Sequence, residues 1–263
     1  MKKFSELQGL IFDMDGVLWR GGKPLPGIEN TFSLLRERRI PFVLATNNAT
    51  QTFDEVRSRM ENVGVSVEQN EVLTSAVGAA NFLKQHVPEA SSIYAVGEQA
   101  LRDALEEAGY FVKESSNNVA AVVVGMDWSL TWEKLAEANY ALMNGAFFLG
   151  TNPDVSFPTE RGLAPGNGAI LAALETATGR EATIFGKPEP HLFLEALRRI
   201  NTSATHTVAI GDRLETDILG GKRAGLPTAL VLTGVTTEDL LDQSDIQPDW
   251  VFRDLEELSS ELR

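Results

Sequence analysis

Short apolar runs alternate with helix-patterned segments along the whole chain, and this alternation narrows the folds open to it. Residues 8–12 (QGLIF) form an apolar run that stops at acidic residues. Residues 28–39 carry helical spacing, 41–45 (PFVLA) read as a second buried strand, and 53–62 read as a helix closed by Gly64 in the C-terminal capping position. Towards the other end, 207–210 (TVAI) and 228–232 (TALVL) are strand candidates on either side of a helix over 214–223. The middle repeats the pattern. Residues 92–96 (SIYAV), 120–124 (AAVVV) and 146–149 (AFFL) are strand candidates, and 99–108, 132–143 and 167–178 helix candidates. Such alternation predicts parallel sheets with helices on their faces, an α/β fold. Residues 76–182 are numerous enough to fold as a unit of their own.

At 263 residues with 43% hydrophobic content, the chain can bury a real core. Its formal net charge of -14 argues against a nucleic-acid partner, because that binding rests on Lys and Arg neutralising phosphates. An anionic substrate would likewise be repelled at long range, so any phosphate site must supply its own local cations. The absence of cysteine excludes disulfides and thiolate metal sites and suits a reducing compartment. Met1-Lys2-Lys3 starts basic, but no long apolar run follows as a signal peptide requires, and no stretch reaches transmembrane length. The expectation is a cytoplasmic protein with no membrane partner.

In open parallel sheets, ligands bind beyond the C-terminal ends of the strands. The first strand is followed by Asp13-Met14-Asp15-Gly16, the second by Thr46-Asn47-Asn48, residues 183–185 by Gly186-Lys187-Pro188, and 207–210 by Gly211-Asp212 with Asp217 further on. Two neighbouring acids such as Asp13 and Asp15 repel, so one stays protonated unless a cation intervenes; that permits one charged nucleophile and one neutral acid. The hydroxyl and backbone N–H groups at 46–48 suit an anion, and Asn48, Thr50 or Thr52 could equally cap the next helix. Pro188 is read as the first helical residue, holding Lys187 extended just before the helix. Asp212 is placed to ligate a hard cation such as Mg²⁺, and Asp217 follows on the helix.

In this order, the segments 12–18 (FDMDGVL), 45–48 (ATNN), 186–188 (GKP) and 211–217 (GDRLETD) resemble the four motifs of the haloacid dehalogenase superfamily. The resemblance is nearest to its NagD-like, or 4-nitrophenylphosphatase-like, phosphatases, and extends to 150–154 (GTNPD) and 165–170 (PGNGAI). It implies a Rossmann-like core of residues 1–77 and 183–263, with an inserted α/β cap at 78–182 that decides the substrate. It further implies that Asp13 is the nucleophile and Asp15 the acid and base. Thr46 and Asn47, with Asn48 beside them, hold the phosphoryl group, and Lys187 steadies Asp13. The side chains of Asp13 and Asp212 and the Asp15 carbonyl bind Mg²⁺, with Asp217 orienting the metal shell. The implied activity is hydrolysis of a small phosphate ester through an aspartyl phosphate; transfer to another alcohol, or phosphate binding without turnover, are the alternatives. A homodimer would follow by analogy. Within the cap, 154–162 (DVSFPTERG), with Phe157, Glu160 and Arg161, is the candidate substrate loop. Gly166 and Gly168 could suggest a phosphate cradle but are read as close-packing or hinge positions, and Trp128 and Trp132 as cap core or interface.

Overall fold

The computed structural model describes residues 4–159 and 161–262. It divides into two compact units. The first takes in the chain up to Thr46, Phe53–Leu73, and everything from Lys187 onward; the second takes in Asn47–Thr52 and Thr74–Gly186. Apart from Asn47–Thr52, the second unit runs from Thr74 to Gly186, where 78–182 was expected. This long segment opens on the helix Ser75–Leu83, which Thr74 caps by accepting the Val77 N–H at 3.3 Å.

In the first unit, six strands lie in the order Trp250–Phe252, Thr228–Val231, Thr207–Gly211, Gly9–Phe12, Phe42–Thr46, Val72–Thr74. Gly9–Phe12 pairs in parallel with Thr207–Gly211 on one side and Phe42–Thr46 on the other. All three strands are buried along their length, as expected where helices cover both faces of a parallel sheet. The helices Ile28–Arg38 and Leu255–Glu261 pack against each other, and Thr31 Oγ1 donates to the Leu255 carbonyl at 3.2 Å. Phe32 from the first of these sits 5.1 Å from the Phe12 ring and edge-on to Phe42 at 4.7 Å. The helix Phe53–Glu61 ends as its sequence signals: Gly64 takes a positive φ of 79°, and the Val65 N–H returns to the Met60 carbonyl at 3.0 Å.

The second unit is built on five strands in the order Thr183–Ile184, Phe147–Gly150, Ala121–Val124, Ser92–Val96, Phe111–Lys113, all parallel. Its core gathers Val96, Val122, Val124, Leu142, Phe148, Leu171 and Leu174. Ser156–Thr159 and Gly162–Pro165 form an antiparallel hairpin that begins in the expected substrate loop and runs past its end; Glu160 lies outside the described residues. A Cβ at Gly166 would fall 2.3 Å from the Asp154 carbonyl oxygen, and one at Gly168 would fall 2.4 Å from that of Pro153. Both glycines therefore serve close backbone approach. Of the two alternatives for Trp128 and Trp132, core or interface, the core is corrected, because they are 62% and 84% exposed. Helix Trp132–Met143 turns Ala138, Ala141 and Leu142 inward, and Trp132 is off that stripe. Trp128 packs edge-on against Phe157 at 5.2 Å.

Two further expectations are corrected in the first unit. Its helix after Lys187 begins at His191, not Pro188, because Glu189 precedes a second proline, Pro190, and is thereby biased away from the helical region. The single helix expected over 214–223 is a π-turn, Leu214–Ile218, running into a short α-helix, Leu219–Arg223. No helix among the described residues is long and apolar enough to cross a membrane.

Phe32 bridges helix and sheet at 1% exposure. Phe32→Ala should lower unfolding stability by about 3–5 kcal/mol, read as a lower urea midpoint at unchanged slope.

Candidate active site

Three of the core strands end at chemistry. The Asp13 N–H still pairs with the Ile210 carbonyl at 2.8 Å, so the residue leaves the sheet as a continuation of the strand Gly9–Phe12. Asp212 directly follows Thr207–Gly211. Lys187 reaches the tip of Phe42–Thr46, donating to the Ala45 carbonyl at 3.2 Å. Its ammonium also donates to Asp13 Oδ1 at 2.5 Å and to Asp217 Oδ1 at 2.7 Å. The π-turn brings Asp217 into place: the wider turn lets Asp217 Oδ2 accept the Arg213 N–H at 3.1 Å while Oδ1 faces Lys187.

Glycines let the backbone close on these acids. A Cβ at Gly16, where φ is +90°, would sit 2.4 Å from the Asp212 carboxylate. One at Gly234 would sit 1.8 Å from Asp212 Oδ2, and one at Gly211 would sit 2.1 Å from the Asp217 Cβ. The Gly234–Val235 loop also supplies the Val235 N–H to Asp212 Oδ2 at 2.6 Å. Sequence reasoning missed this loop, although the strand-end rule applied to Thr228–Val231 points to it.

Asp13, Asp212, Asp217 and Lys187 are all buried. Three carboxylates against one ammonium leave two formal negative charges in excess. Burial pushes the Asp13 carboxyl well above the usual range; Lys187 pulls against that rise, and Asp217 and Asp212 add to it. Burial likewise lifts Asp212 to about 7, with Asp217 repelling it further. For Lys187, burial works to lower the ammonium, but Asp13 and Asp217 outweigh it and hold it above its ordinary value. One oxygen of each of Asp13, Asp212 and Asp217 lies within 4.8 Å of the other two. Asp212 Oδ1 is buried without a hydrogen-bond partner. An orphaned carboxylate oxygen among three hard donors with surplus negative charge fits a divalent cation of the Mg²⁺ type.

The other expected residues make contacts of their own. Asp15 is exposed, and its Oδ1 accepts the Trp19 indole N–H at 2.9 Å. Thr46 is buried at its strand end. Asn47 and Asn48 belong to the inserted unit. The Asn47 carbonyl accepts from Ser75 Oγ at 2.5 Å and Asn152 Nδ2 at 2.8 Å, and its own amide donates to Asp154 Oδ2 at 3.2 Å. Asn48 Oδ1 accepts the Thr50 N–H at 2.9 Å in a tight turn. Of the expected set, then, the buried cluster unites Asp13, Lys187, Asp212 and Asp217.

Comparison with known proteins gives this arrangement its relatives. Residues 10–111 match the family model described as haloacid dehalogenase-like hydrolase, and 184–258 match the HAD-hydrolase-like model. An acid sugar phosphatase of Staphylococcus haemolyticus is 39% identical over 97% of this chain and 96% of its own length. The chain belongs to the haloacid dehalogenase-like hydrolases. Within that family, a p-nitrophenyl phosphatase from Archaeoglobus fulgidus superposes with a TM-score of 0.92 at 32% identity, covering 97% of this chain and 99% of that one. A glycerol phosphate phosphatase from Mycobacterium tuberculosis, solved with magnesium, reaches 0.89 at 36% identity over 98% of this chain and 78% of that one. The chain is a phosphatase of this family, with the parallel α/β fold its strand pattern predicts.

Because burial raises the Asp212 pKa from 3.8 to about 7, the metal-free folded state binds a proton more tightly than the unfolded one. Metal-free stability should therefore be fully present in acid and fall as pH rises through that window. Asp212→Asn should raise the metal-free melting temperature at about pH 8, with the gain fading by about pH 4. Added Mg²⁺ should stabilise the wild type at about pH 8 and the variant far less. Differential scanning calorimetry across pH, with EDTA or Mg²⁺, checks both.

Proposed function

We propose that this phosphatase hydrolyses small phosphomonoesters in two steps, with Asp13 as nucleophile and Mg²⁺ as cofactor. The buried contact of Asp13 with Lys187, beside the orphaned oxygen of Asp212, supports this most directly. A phosphomonoester dianion repels an attacking carboxylate, and this site places an ammonium on that carboxylate. Lys187 would screen the approach and steady negative charge on the transferring phosphoryl group. Thr46 and the Asn47 backbone would hold the phosphoryl oxygens. Attack by Asp13 forms an aspartyl phosphate and splits one hard displacement into two easier ones. Asp15 protonates the departing ester oxygen, and its conjugate base then takes a proton from the hydrolytic water. The carboxylates of Asp13 and Asp212 and the Asp15 carbonyl would hold Mg²⁺, with Asp217 ordering its surroundings. Bound there, the ion would supply Lewis-acid charge stabilisation.

The named relatives act on sugar, nitrophenyl and glycerol phosphates, and these are the substrate classes proposed here. Substrate selection is assigned to the inserted unit. A phosphate-release screen over sugar phosphates, glycerol phosphate, phosphoglycolate, nucleoside monophosphates and pyridoxal phosphate, with Mg²⁺ or EDTA, tests the proposal. Activity that persists undiminished in EDTA would remove the metal from it.

Asp13→Asn, freshly purified and free of deamidation, should lose about a thousandfold or more in turnover and keep its circular dichroism. Retained activity would discard the nucleophile assignment. Asp15→Asn should also be crippled in kcat/KM, and least so for 4-nitrophenyl phosphate, whose leaving group needs little protonation. Phosphate release measured against an alkyl phosphate gives the comparison.

A further inference from the structure

Asp15 differs from the buried acids in being exposed, and an exposed carboxylate on a turn has rotamers to lose before it can transfer a proton. Its side chain is nevertheless held. The segment after it folds back at once: the Leu18 N–H bonds to the Met14 carbonyl at 2.8 Å, and the Gly16 N–H to the Trp19 carbonyl at 2.7 Å. This turn swings the Trp19 indole round to Asp15, where Nε1–H donates to Oδ1 at 2.9 Å. Trp19 is only 3% exposed and belongs to the hydrophobic core of its unit. The Arg59 guanidinium lies over its ring, 3.7 Å from the centroid. The indole is thus fixed by core packing on its body and a cation on its face.

We infer that Trp19 is a positioning residue for the reaction: its N–H holds Asp15 Oδ1 and thereby makes Oδ2 the oxygen that delivers and retrieves the proton. An indole N–H only donates, so Oδ1 must accept from it and the acid's proton resides on Oδ2. In the first step the Oδ2–H proton passes to the leaving ester oxygen. The bond from phosphorus to that oxygen breaks as one to an Asp13 carboxylate oxygen forms. In the second step a water oxygen bonds to phosphorus, a water proton returns to Oδ2, and the Asp13–phosphorus bond breaks. The inference rests on the proposed role of Asp15 as acid and base.

Trp19→Phe keeps an aromatic ring beneath Arg59 and removes the donor. β-(3-Benzothienyl)alanine at position 19 keeps the bicyclic shape and replaces N–H with sulfur, so it decides the matter if the Phe variant folds poorly. Each is assayed for kcat/KM, which reports steps up to aspartate phosphorylation, on an alkyl phosphate and on 4-nitrophenyl phosphate, alongside Asp15→Asn. The expected result for either Trp19 replacement is about a tenfold loss on the alkyl ester with the nitrophenyl ester held within about twofold. Equal losses on both esters, or no loss on either, would overturn the positioning role, because a merely structural ring does not distinguish leaving groups. If Asp15→Asn alone shows the leaving-group dependence, Asp15 keeps its role and Trp19 loses its own. If Asp15→Asn hits both esters equally, the acid–base assignment itself has failed.

Discussion

The contact on which the site depends is the buried ammonium of Lys187 lying between Asp13 and Asp217. Without it, the strand tips would gather three desolvated carboxylates with no cation to offset their mutual repulsion. With it, Asp13 has a fixed partner and Asp217 a fixed orientation, while one oxygen of Asp212 stays buried without a hydrogen-bond partner. The geometry bears on the difficulty posed by the overall charge. A chain with a net charge of -14 repels phosphate at long range, and Lys187 sets a buried positive charge at the strand tips.

The cluster also costs stability. Burying acids that would rather be protonated works against folding near neutrality, and the surrounding core must offset it. It does so with continuous apolar strands and the aromatic chain of Phe12, Phe32 and Phe42 directly beneath. The glycines at 16, 211 and 234 let the backbone close directly on Asp212 and Asp217.

Most of the fold was legible because its strands are buried on both faces and so appear as uninterrupted apolar runs. From there, the residues just past each strand's C-terminal end led to Asp13, Asp212 and Lys187. The features that stayed hidden have no period. Two prolines two residues apart push a helix start from Pro188 to His191. One extra residue in a turn, invisible to a 3.6-residue pattern, aims Asp217. For Trp128 and Trp132 residue type left core and interface both open; Trp132 lies off the apolar stripe of its helix, Trp128 lies before that helix, and both are exposed. Trp19 gave no signal at all, since its value lies in a fold-back that only the turn at Gly16 creates.

The strand that carries Asp13 has Thr207–Gly211 as one of its two neighbours, nearly the whole chain away. As the polypeptide leaves the ribosome, the strand Gly9–Phe12 keeps one edge bare until residues 207–211 have been made. A chain halted before residue 207 holds Asp13, Asp15 and Lys187 yet lacks Asp212, Asp217 and the strand that carries them. The acids that gather beside Asp13 are thus missing from any shorter nascent chain, and the buried cluster can close only once residue 217 has been made.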